Sequence, residues 1–394
     1  MDQKNFIKTL QDNVAFQLSL TSKELFHSNF LAWLAEDKDT IGVFKELLQN
    51  CFGAEGFDFK QYDMTVKREY MNFDFCICDN KDSNKVRFVL ENKFKSLPYK
   101  EQLEEYQEKV ETSNKDSEPV HYCLLSLAQG YKDFGDWKVV TYEEYAEALR
   151  KANESKNNNL FKKELINTYC NFIKTFSDHI KESLKEVCDK GIVNPDAKWD
   201  VLTSHQEFCE IRCNDVWQKI VMQHCAKILA NKIKDVFGVE AAMAHSDKDI
   251  WQKKGTENQG KFFTMVNYFH GEAFLELKYL LPGKGILAFQ QQGNHPLRIG
   301  ILAMREDYRT TTSKKTNPKK WQREAVRCIN ECGLQDYIKL KERPKKKGIN
   351  TYKSFGSFYY DDLNDEVTNI EQTLDDMVTT LKSFIDSRKS SSKN

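Results

Sequence analysis

The chain has 394 residues, of which 40% are hydrophobic and 12% aromatic, and its formal net charge is zero. This length and apolar content favour two or three folded domains and exclude a disordered chain. A neutral total provides no general attraction to a polyanion, so a nucleic-acid site would need a local cluster of charge.

Cysteine usage and the lack of long apolar runs indicate the compartment. The eleven cysteines are an odd number and show no CxxC spacing, which favours free thiols in a reducing environment. No apolar run approaches the ~20 residues that cross a bilayer, and the polar N-terminal stretch lacks a signal-peptide core. We therefore expect a cytoplasmic protein that does not enter the membrane.

The first half of the chain alternates between helical and strand patterns. Two amphipathic helices come first, then strands, then a helix that crosses between strands, and this order predicts an α/β sandwich with a mixed sheet. The predicted elements are helices over 21–39 and about 40–52, strand character over 62–79, a turn over 79–85, a strand over 86–93, a helix from Pro98 to about 112, strands over 121–128 and 138–142, and helices over 142–152 and 160–190.

A cluster of Gly, Asn and Pro at 191–200 predicts a domain boundary, with one domain over 1–190 and a second over 191–394. The second domain begins helical, becomes rich in strands and ends in a helix, which predicts a mixed α+β domain. Its predicted elements are helix over about 201–236, strands over 261–269, 272–281, 285–292 and 297–304, a hairpin turn over 282–285, and helices near 319–333 and 365–386.

Charged residues stand together at the end of the strand over 86–93. Glu91 and Lys93 are two residues apart, so their side chains project from the same face of that strand. Asp74 lies on the preceding strand, and the turn over 79–85 would make the two strands neighbours. Two carboxylates on adjacent strands suit Mg²⁺ or Mn²⁺, and a nearby lysine can position a water or offset charge on a phosphate.

Asp74, the Glu91-Asn92-Lys93 triplet and their surroundings resemble the PD-(D/E)XK nuclease superfamily, in a bacterial, uncharacterised, defence-associated branch. The likeness covers about residues 20–150. It departs from the pattern at Phe73, where many members have proline. The further matching segments are the early helix 24-ELFHSNFLAWLA-35, the segment from Gln102 to Tyr106, a strand that ends near Leu127, and the helix start 141-TYEEYAEAL-149.

The resemblance implies a restriction-endonuclease-like αβββαβ core and metal-dependent hydrolysis of phosphodiester bonds in nucleic acid. DNA is a more expected substrate than RNA, and the implied role is defence against foreign DNA. Asp74 and Glu91 would bind the Mg²⁺ (or Mn²⁺), and Lys93 would assist the attacking water. Glu24 would be a further acidic ligand or would orient one. Gln102 would line the site, and Tyr106, one helical turn away, would share its face and contact nucleic acid.

Each of these residues also has a structural explanation. Glu24 fits a capping box with Thr21, and Gln102 and Tyr106 fit the packing of an amphipathic helix. Glu91 and Lys93 could form a structural ion pair, although a buried pair stabilises a fold poorly. Cys209 and Cys213, spaced like zinc ligands on a helix, are better explained as small buried residues.

The segment 305–353 is locally basic, with fifteen Lys or Arg against six Asp or Glu. An excess of nine in a neutral chain predicts a phosphate-contacting surface, although a solvated loop pair is the alternative. The candidate nucleic-acid contacts are Lys314, Lys315, Lys319, Lys320, Lys345, Lys346 and Lys347, with Trp321, Tyr337 and Tyr352 available for stacking.

Two other functions stay open. The chain could be a non-cleaving nucleic-acid-binding or regulatory module that keeps the nuclease fold, although the intact Asp74, Glu91 and Lys93 set argues against it. The strands over 261–304 could expose a sheet edge that binds a protein partner, and the chain could form a homo-oligomer.

Overall fold

The structure is a computed structural model, and its residues group into two compact units. The first unit comprises Met1–Leu184 and Gln206–Ile220, and the second comprises Lys185–His205 and Val221–Asn394. The residues described are 3–20, 23–61, 63–81, 85–98, 100–114, 118–127, 134–189, 192–194, 196–203, 205–244, 250, 261–269, 271–281, 285–304, 327, 330, 333–334, 350–352, 356–363 and 366–391.

The helices and strands are numbered here along the chain. The helices are α1 (Gln3–Gln11), α2 (Val14–Ser19), α3 (Lys23–Glu36), α4 (Ile41–Asn50), α5 (Lys100–Ser113), α6 (Tyr142–Lys156), α7 (Leu160–Val187), α8 (Asp200–Thr203), α9 (Gln206–Glu210), α10 (Asn214–Phe237) and α11 (Ile370–Ser391). The strands are β1 (Met64–Tyr70), β2 (Phe73–Asp79), β3 (Val86–Lys93), β4 (His121–Ser126), β5 (Trp137–Thr141), β6 (Cys188–Asp189), β7 (Ile192–Val193), β8 (Ala242–Ala244), β9 (Phe262–Phe269), β10 (Glu272–Leu280), β11 (Gly285–Gln292), β12 (Arg298–Met304), β13 (Asn350–Tyr352) and β14 (Gly356–Asp362).

The first unit is built on a mixed five-stranded sheet in the order β1-β2-β3-β4-β5. The first three strands pair antiparallel, and β3, β4 and β5 pair in parallel. Parallel neighbours need a crossover connection, and α5 supplies it between β3 and β4. The predicted α/β core with a mixed sheet is therefore confirmed.

A two-residue turn joins β1 to β2. Tyr70 pairs with Phe73, and the turn residues Met71 and Asn72 have φ values of 55° and 71°. Two consecutive positive φ values are the mark of a type I′ turn, whose twist matches that of the flanking strands. This turn fixes the register of β2 and therefore the height at which Asp74 lies in the sheet.

All eight residues of β3 are buried, as expected for a central strand covered on both faces. One face packs under α5, where Cys76 and Val89 share a core with Leu103, Tyr106 and Val110. The opposite face lies under the N-terminal helices, where the rings of Phe75 and Phe44 are 5.6 Å apart.

A segment from later in the chain completes the first unit. Phe208 of α9 stacks on Trp217 of α10 with ring centroids 4.8 Å apart. The Phe208 ring also lies 6.2 Å from Phe6 and 6.1 Å from Phe176. Since all four of these aromatic residues lie outside residues 20–150, the core of this unit is larger than the segment that carries the nuclease resemblance.

The second unit contains a seven-stranded sheet in the order β13-β14-β12-β11-β10-β9-β8, and a short ladder of β6 with β7. Its strands β9 to β12 pair antiparallel with their chain neighbours. This unit confirms the predicted mixed α+β character, while β14, which pairs with β12, was not foreseen. The helix predicted near 319–333 lies largely outside the described residues.

Candidate nuclease site

The pairing of β2 with β3 brings the predicted acidic residues to one place. Phe75 pairs with Leu90, so the same register places Asp74 opposite Glu91. Asp74 is two residues from Cys76, and Glu91 is two residues from Val89, and both of those neighbours pack under α5. Because side chains alternate along a strand, Asp74, Glu91 and Lys93 all belong to the face that α5 covers.

Glu91 and Lys93 form a buried ion pair. Their Oε1 and Nζ atoms are 2.7 Å apart, and the two residues are only 2% and 7% exposed. Removing both charges from water costs more free energy than such a contact commonly returns. The pair is therefore a poor stabilising device, and its position requires a second explanation.

The electrostatics of the pair indicate a local shortage of positive charge. Burial raises the pKa of Glu91 to about 8, and the nearby Asp74 carboxylate adds to this effect while Lys93 opposes it. Burial also raises the pKa of Asp74 above its ordinary value. Burial works against the Lys93 ammonium, but the Glu91 carboxylate together with the negative charges of Asp74 and Glu24 outweighs it and holds the pKa of Lys93 above its ordinary value.

Asn92, which lies between the charged pair, joins three elements to β3. Its backbone N–H donates to Oδ2 of Asp74 at 2.7 Å. Its side-chain amide donates to the carbonyl of Glu24 at 2.7 Å, and its Oδ1 accepts from the hydroxyl of Tyr142 at the start of α6. The bond to Asp74 fixes one carboxylate oxygen, so Asn92 orients a proposed metal ligand.

Glu24 lies close to the charged residues, but its carboxylate binds the chain that follows β3. Its Oε1 accepts from the backbone N–H groups of Lys95 at 3.1 Å and Ser96 at 2.7 Å, and from the Ser96 hydroxyl at 2.5 Å. This arrangement supports the role of orienter more directly than that of ligand. Thr21, the partner in the predicted capping box, lies outside the described residues.

Gln102 and Tyr106 lie on the helix that covers the site. Nε2 of Gln102 donates to the Tyr106 hydroxyl at 2.7 Å, and the Tyr106 ring packs against Phe73 with centroids 5.1 Å apart. Burial raises the pKa of Tyr106 to about 12, and the negative charges of Glu91 and Asp74 contribute. These two residues are therefore near the carboxylates, on the same face of α5.

The chemistry of the donor set fits a hard divalent cation. The Oε2 atom of Glu91 is buried and accepts no hydrogen bond, and Asp74 supplies a second carboxylate on the neighbouring strand. A cation between them would supply the missing positive charge and satisfy this oxygen. Over the described part of the chain, however, no three His, Cys, Asp or Glu side chains are grouped as a complete protein-only metal site.

Some residues of the site were not predicted from the sequence, and some predicted residues lie outside the part of the chain that the structure describes. The sequence assigns no role to Asn92, Ser28 or Tyr142, although all three lie within the matching segments. The Ser28 hydroxyl lies 3.5 Å from Nδ2 of Asn92. The signal available for Asn92 was an amide between two charged residues at the end of a largely apolar strand, where a buried polar group needs partners. The candidate lysines at 314, 315, 319, 320 and 345–347 lie outside the described residues, as do Trp321 and Tyr337.

A mixed sheet that carries an Asp on one strand and Glu-x-Lys on the next is typical of restriction-endonuclease-like proteins. In agreement, a profile of the PD-(D/E)XK nuclease superfamily matches residues 12–171. The match covers less than half of the chain and supports the resemblance for the first unit. Proteins of this superfamily are nucleases that generally use divalent metal ions, and residues 12–171 of this chain are similar to them.

The other comparisons find no relatives. No curated protein and no solved structure matches the chain. Among the residues that the structure describes, no helix has the length and apolar character needed to cross a membrane. These comparisons therefore do not identify the defence-associated branch, the metal ion or the substrate.

Proposed function

We propose that this chain is a Mg²⁺-dependent (or Mn²⁺-dependent) nuclease that hydrolyses phosphodiester bonds in nucleic acid, with DNA as its substrate. The observation that carries the proposal is the group of half-buried Asp74 with buried Glu91 and Lys93 on one face of the sheet, with a Glu91 oxygen that accepts no hydrogen bond. A purely structural pair would leave neither a second carboxylate beside it nor an unsatisfied buried oxygen.

The proposed roles follow from the positions of the side chains. Asp74 and Glu91 would hold the metal, and Glu24 would orient the chain after β3 or supply a further oxygen. When bound, such a cation would polarise a phosphoryl oxygen and lower the pKa of a water. The Lys93 ammonium would hold the attacking water or offset charge that builds on the phosphate. Gln102 and Tyr106 would form the wall of the site.

A role in bacterial defence against foreign DNA is proposed from the resemblance alone. The cytoplasm is the proposed location, because phage or plasmid DNA would be encountered there. The basic segment over 305–353 would contribute phosphate contacts, and a protein partner or a second copy of the chain would be the natural way to restrain cutting of host DNA.

Cleavage of labelled DNA and RNA, duplex and single-stranded, tests the proposal. We expect wild-type protein to cut at least one substrate with Mg²⁺ or Mn²⁺ and to stop when a chelator is added. Lys93→Ala should lower the rate at least about 100-fold, as expected for loss of a group that stabilises transition-state charge. Lys151→Ala is the matched control, because this exposed lysine pairs with Glu147 one helical turn away on α6.

Calorimetry with Mn²⁺ tests the metal site independently of cutting. Asp74→Ala and Glu91→Ala should each abolish the heat of binding that wild-type protein gives, while Lys151→Ala should keep it. Wild-type protein that neither binds Mn²⁺ nor cuts any substrate would overturn the nuclease proposal and leave a structural ion pair.

A non-cleaving nucleic-acid-binding module is the second candidate. It is favoured by the lack of a third grouped protein ligand among the described residues and by the raised pKa of Glu91, which favours an uncharged carboxyl. This candidate predicts binding of nucleic acid without cutting. Neutralising Lys345, Lys346 and Lys347 should then flatten the salt dependence of binding by up to about one unit of slope per lost phosphate contact.

A further inference from the structure

The chain that follows Lys93 is held from several directions. We call residues 94–98 the post-β3 loop. Phe94 is 3% exposed, and its ring lies 4.3 Å from His27 and 5.0 Å from Tyr142. The carbonyl of Lys93 accepts from the N–H of Leu127 at 3.0 Å, which ends the pairing of β3 with β4. Beyond this point, bonds from side chains hold the backbone of the loop.

Two residues of α10 bind the post-β3 loop at Lys95. The Lys219 ammonium donates to the Lys95 carbonyl oxygen at 2.8 Å. Oδ2 of Asp215, one helical turn earlier, lies 3.1 Å from the Lys95 ammonium. Glu24 binds the N–H side of the same residue. Lys95 is therefore held between α3 on one side and α10 on the other.

The two contacts hold the loop with different strength, because their lysine side chains are buried to different extents. Lys219 is 8% exposed, so its ammonium gives up water and requires the carbonyl oxygen as a partner. The Lys95 side chain is 47% exposed, so its pair with Asp215 is screened by solvent and contributes little free energy. The Lys219 bond is thus the stronger constraint on where the loop backbone lies.

Both contacts come from outside the segment that matches the nuclease profile. That match ends at residue 171, whereas Asp215 and Lys219 belong to the segment Gln206–Ile220, which joins the first unit. A segment added to the core thus reaches the backbone two residues beyond Lys93. Displacing a reacting group by about 1 Å can lower a rate about 100-fold.

We propose that Lys219, assisted by Asp215, is a positioning residue for Lys93: α10 fixes the post-β3 loop and through it the placement of the Lys93 ammonium. This inference rests on the proposed nuclease function for its effect on rate. Its structural part, the restraint of Lys95 and Ser96, can be measured without any activity.

The test compares Lys219→Met with wild-type protein by hydrogen exchange and by cleavage kinetics. Methionine keeps most of the length and apolar volume of lysine but cannot donate a hydrogen bond. We expect the amides of Lys95 and Ser96 to exchange at least about tenfold faster, because they are opened more often. We expect kcat to fall at least about tenfold with KM for DNA and the affinity for Mn²⁺ within about twofold of wild type.

Two further variants separate positioning from general stability. Lys232, like Lys219, lies on α10, and Lys232→Met removes its 2.6 Å ion pair with Asp375 of α11. This variant should leave kcat and the exchange at Lys95 and Ser96 unchanged. Lys219→Arg keeps a donor at this position and should restore most of the protection and most of kcat.

Failure of this inference can be distinguished from failure of the nuclease proposal. Unchanged exchange at Lys95 and Ser96 in Lys219→Met, or an equal increase in Lys232→Met, would overturn the inference. A fall in kcat matched by an equal rise in KM would also overturn it, since lost substrate binding would explain the result. If wild-type protein cuts nothing, the nuclease proposal fails, and the exchange data alone support or overturn the restraint by α10.

Discussion

His27 is a neutral histidine enclosed by aromatic rings. It is fully buried, its Nδ1 is 2.6 Å from the Tyr169 hydroxyl, and its ring lies 4.3 Å from Phe94. Burial disfavours the imidazolium and lowers the pKa of His27 from 6.5 to about 3. His27 therefore lies in the core, beside the post-β3 loop.

This depressed pKa makes a prediction about stability in acid. The unfolded chain binds a proton at His27 below pH 6.5 and the folded chain does not until about pH 3, so stability is retained above pH 6.5 and lost between these values. The loss attributable to this group is about 1.4 kcal/mol per pH unit. Urea unfolding of His27→Phe should show a shallower decline than wild type from pH 6 to pH 4.5.

Tyr169→Phe is the control for this measurement. It removes the hydrogen-bond partner of His27 but keeps the titrating group, so its stability should be lower at every pH with the steep decline retained. Parallel curves for wild type and His27→Phe would contradict the prediction.

A second prediction concerns the hydrogen bond between Tyr142 and Asn92. Tyr142 is fully buried, and its hydroxyl donates to Oδ1 of Asn92. Tyr142→Phe leaves that oxygen without this donor, which should cost about 1–3 kcal/mol in the free energy of unfolding by urea. Tyr106→Phe should cost less, because its partner Gln102 is only partly buried and can turn to water.

Among the secondary-structure elements, α6 depends on a capping box for its start. The Thr141 hydroxyl accepts from the N–H of Glu144 at 3.1 Å, and Oε2 of Glu144 accepts from the N–H of Thr141 at 2.8 Å. These bonds satisfy donors that a helix start leaves free. They also fix the direction in which Tyr142, the next residue, enters the core towards Asn92.

Thr141→Val should lower the free energy of unfolding by about 1 kcal/mol, because valine keeps the shape of threonine and loses the cap. Thr168→Val is the matched control: its hydroxyl donates to the Glu164 carbonyl within α7, where the backbone bond of the helix is already made. This control should change stability by less than about 0.5 kcal/mol in the same urea titration. Equal losses in the two variants would show that the cap contributes nothing specific.

For the chain as a whole, the first unit includes a segment that lies beyond the domain boundary predicted at 190/191. Phe208 and Trp217, both buried, lie in the segment Gln206–Ile220 and pack with Phe6 and Phe176. A fragment over 1–190 would leave those earlier rings uncovered, whereas a fragment over 1–220 would keep them covered. Burying a large aromatic side chain contributes about 1.5–3 kcal/mol.

The two fragments should therefore differ in stability. We expect the 1–220 fragment to melt higher, and to bind less of a dye that reports exposed apolar surface, than the 1–190 fragment. Phe208→Ala should lower the unfolding free energy of the 1–220 fragment by about 3–5 kcal/mol, which brings its stability closer to that of the 1–190 fragment. Equal melting temperatures for the two fragments would favour the boundary predicted from sequence.

Local sequence patterns were sufficient to predict the class of the first unit and the face of β3 that carries the charged side chains. Period-2 and period-3.6 patterns depend on local chemistry, so the strands over 86–93 and 121–128, the crossing helix after Pro98, and the shared face of Glu91 and Lys93 could all be predicted. The order of Asp74, Glu91 and Lys93 also sufficed for the resemblance to a nuclease superfamily, which the profile match supports.

Which groups bind those charged residues and the loop after them depends on how distant segments pack, so local patterns did not reveal them. Glu24 meets Lys95 and Ser96 across seventy residues of chain, and Lys219 meets Lys95 across more than a hundred. Contacts of such long sequence separation leave no periodic signal, because they depend on how whole elements pack. The same reason explains why the bonds of Asn92 and the continuation of the first unit through Gln206–Ile220 became evident only from the fold.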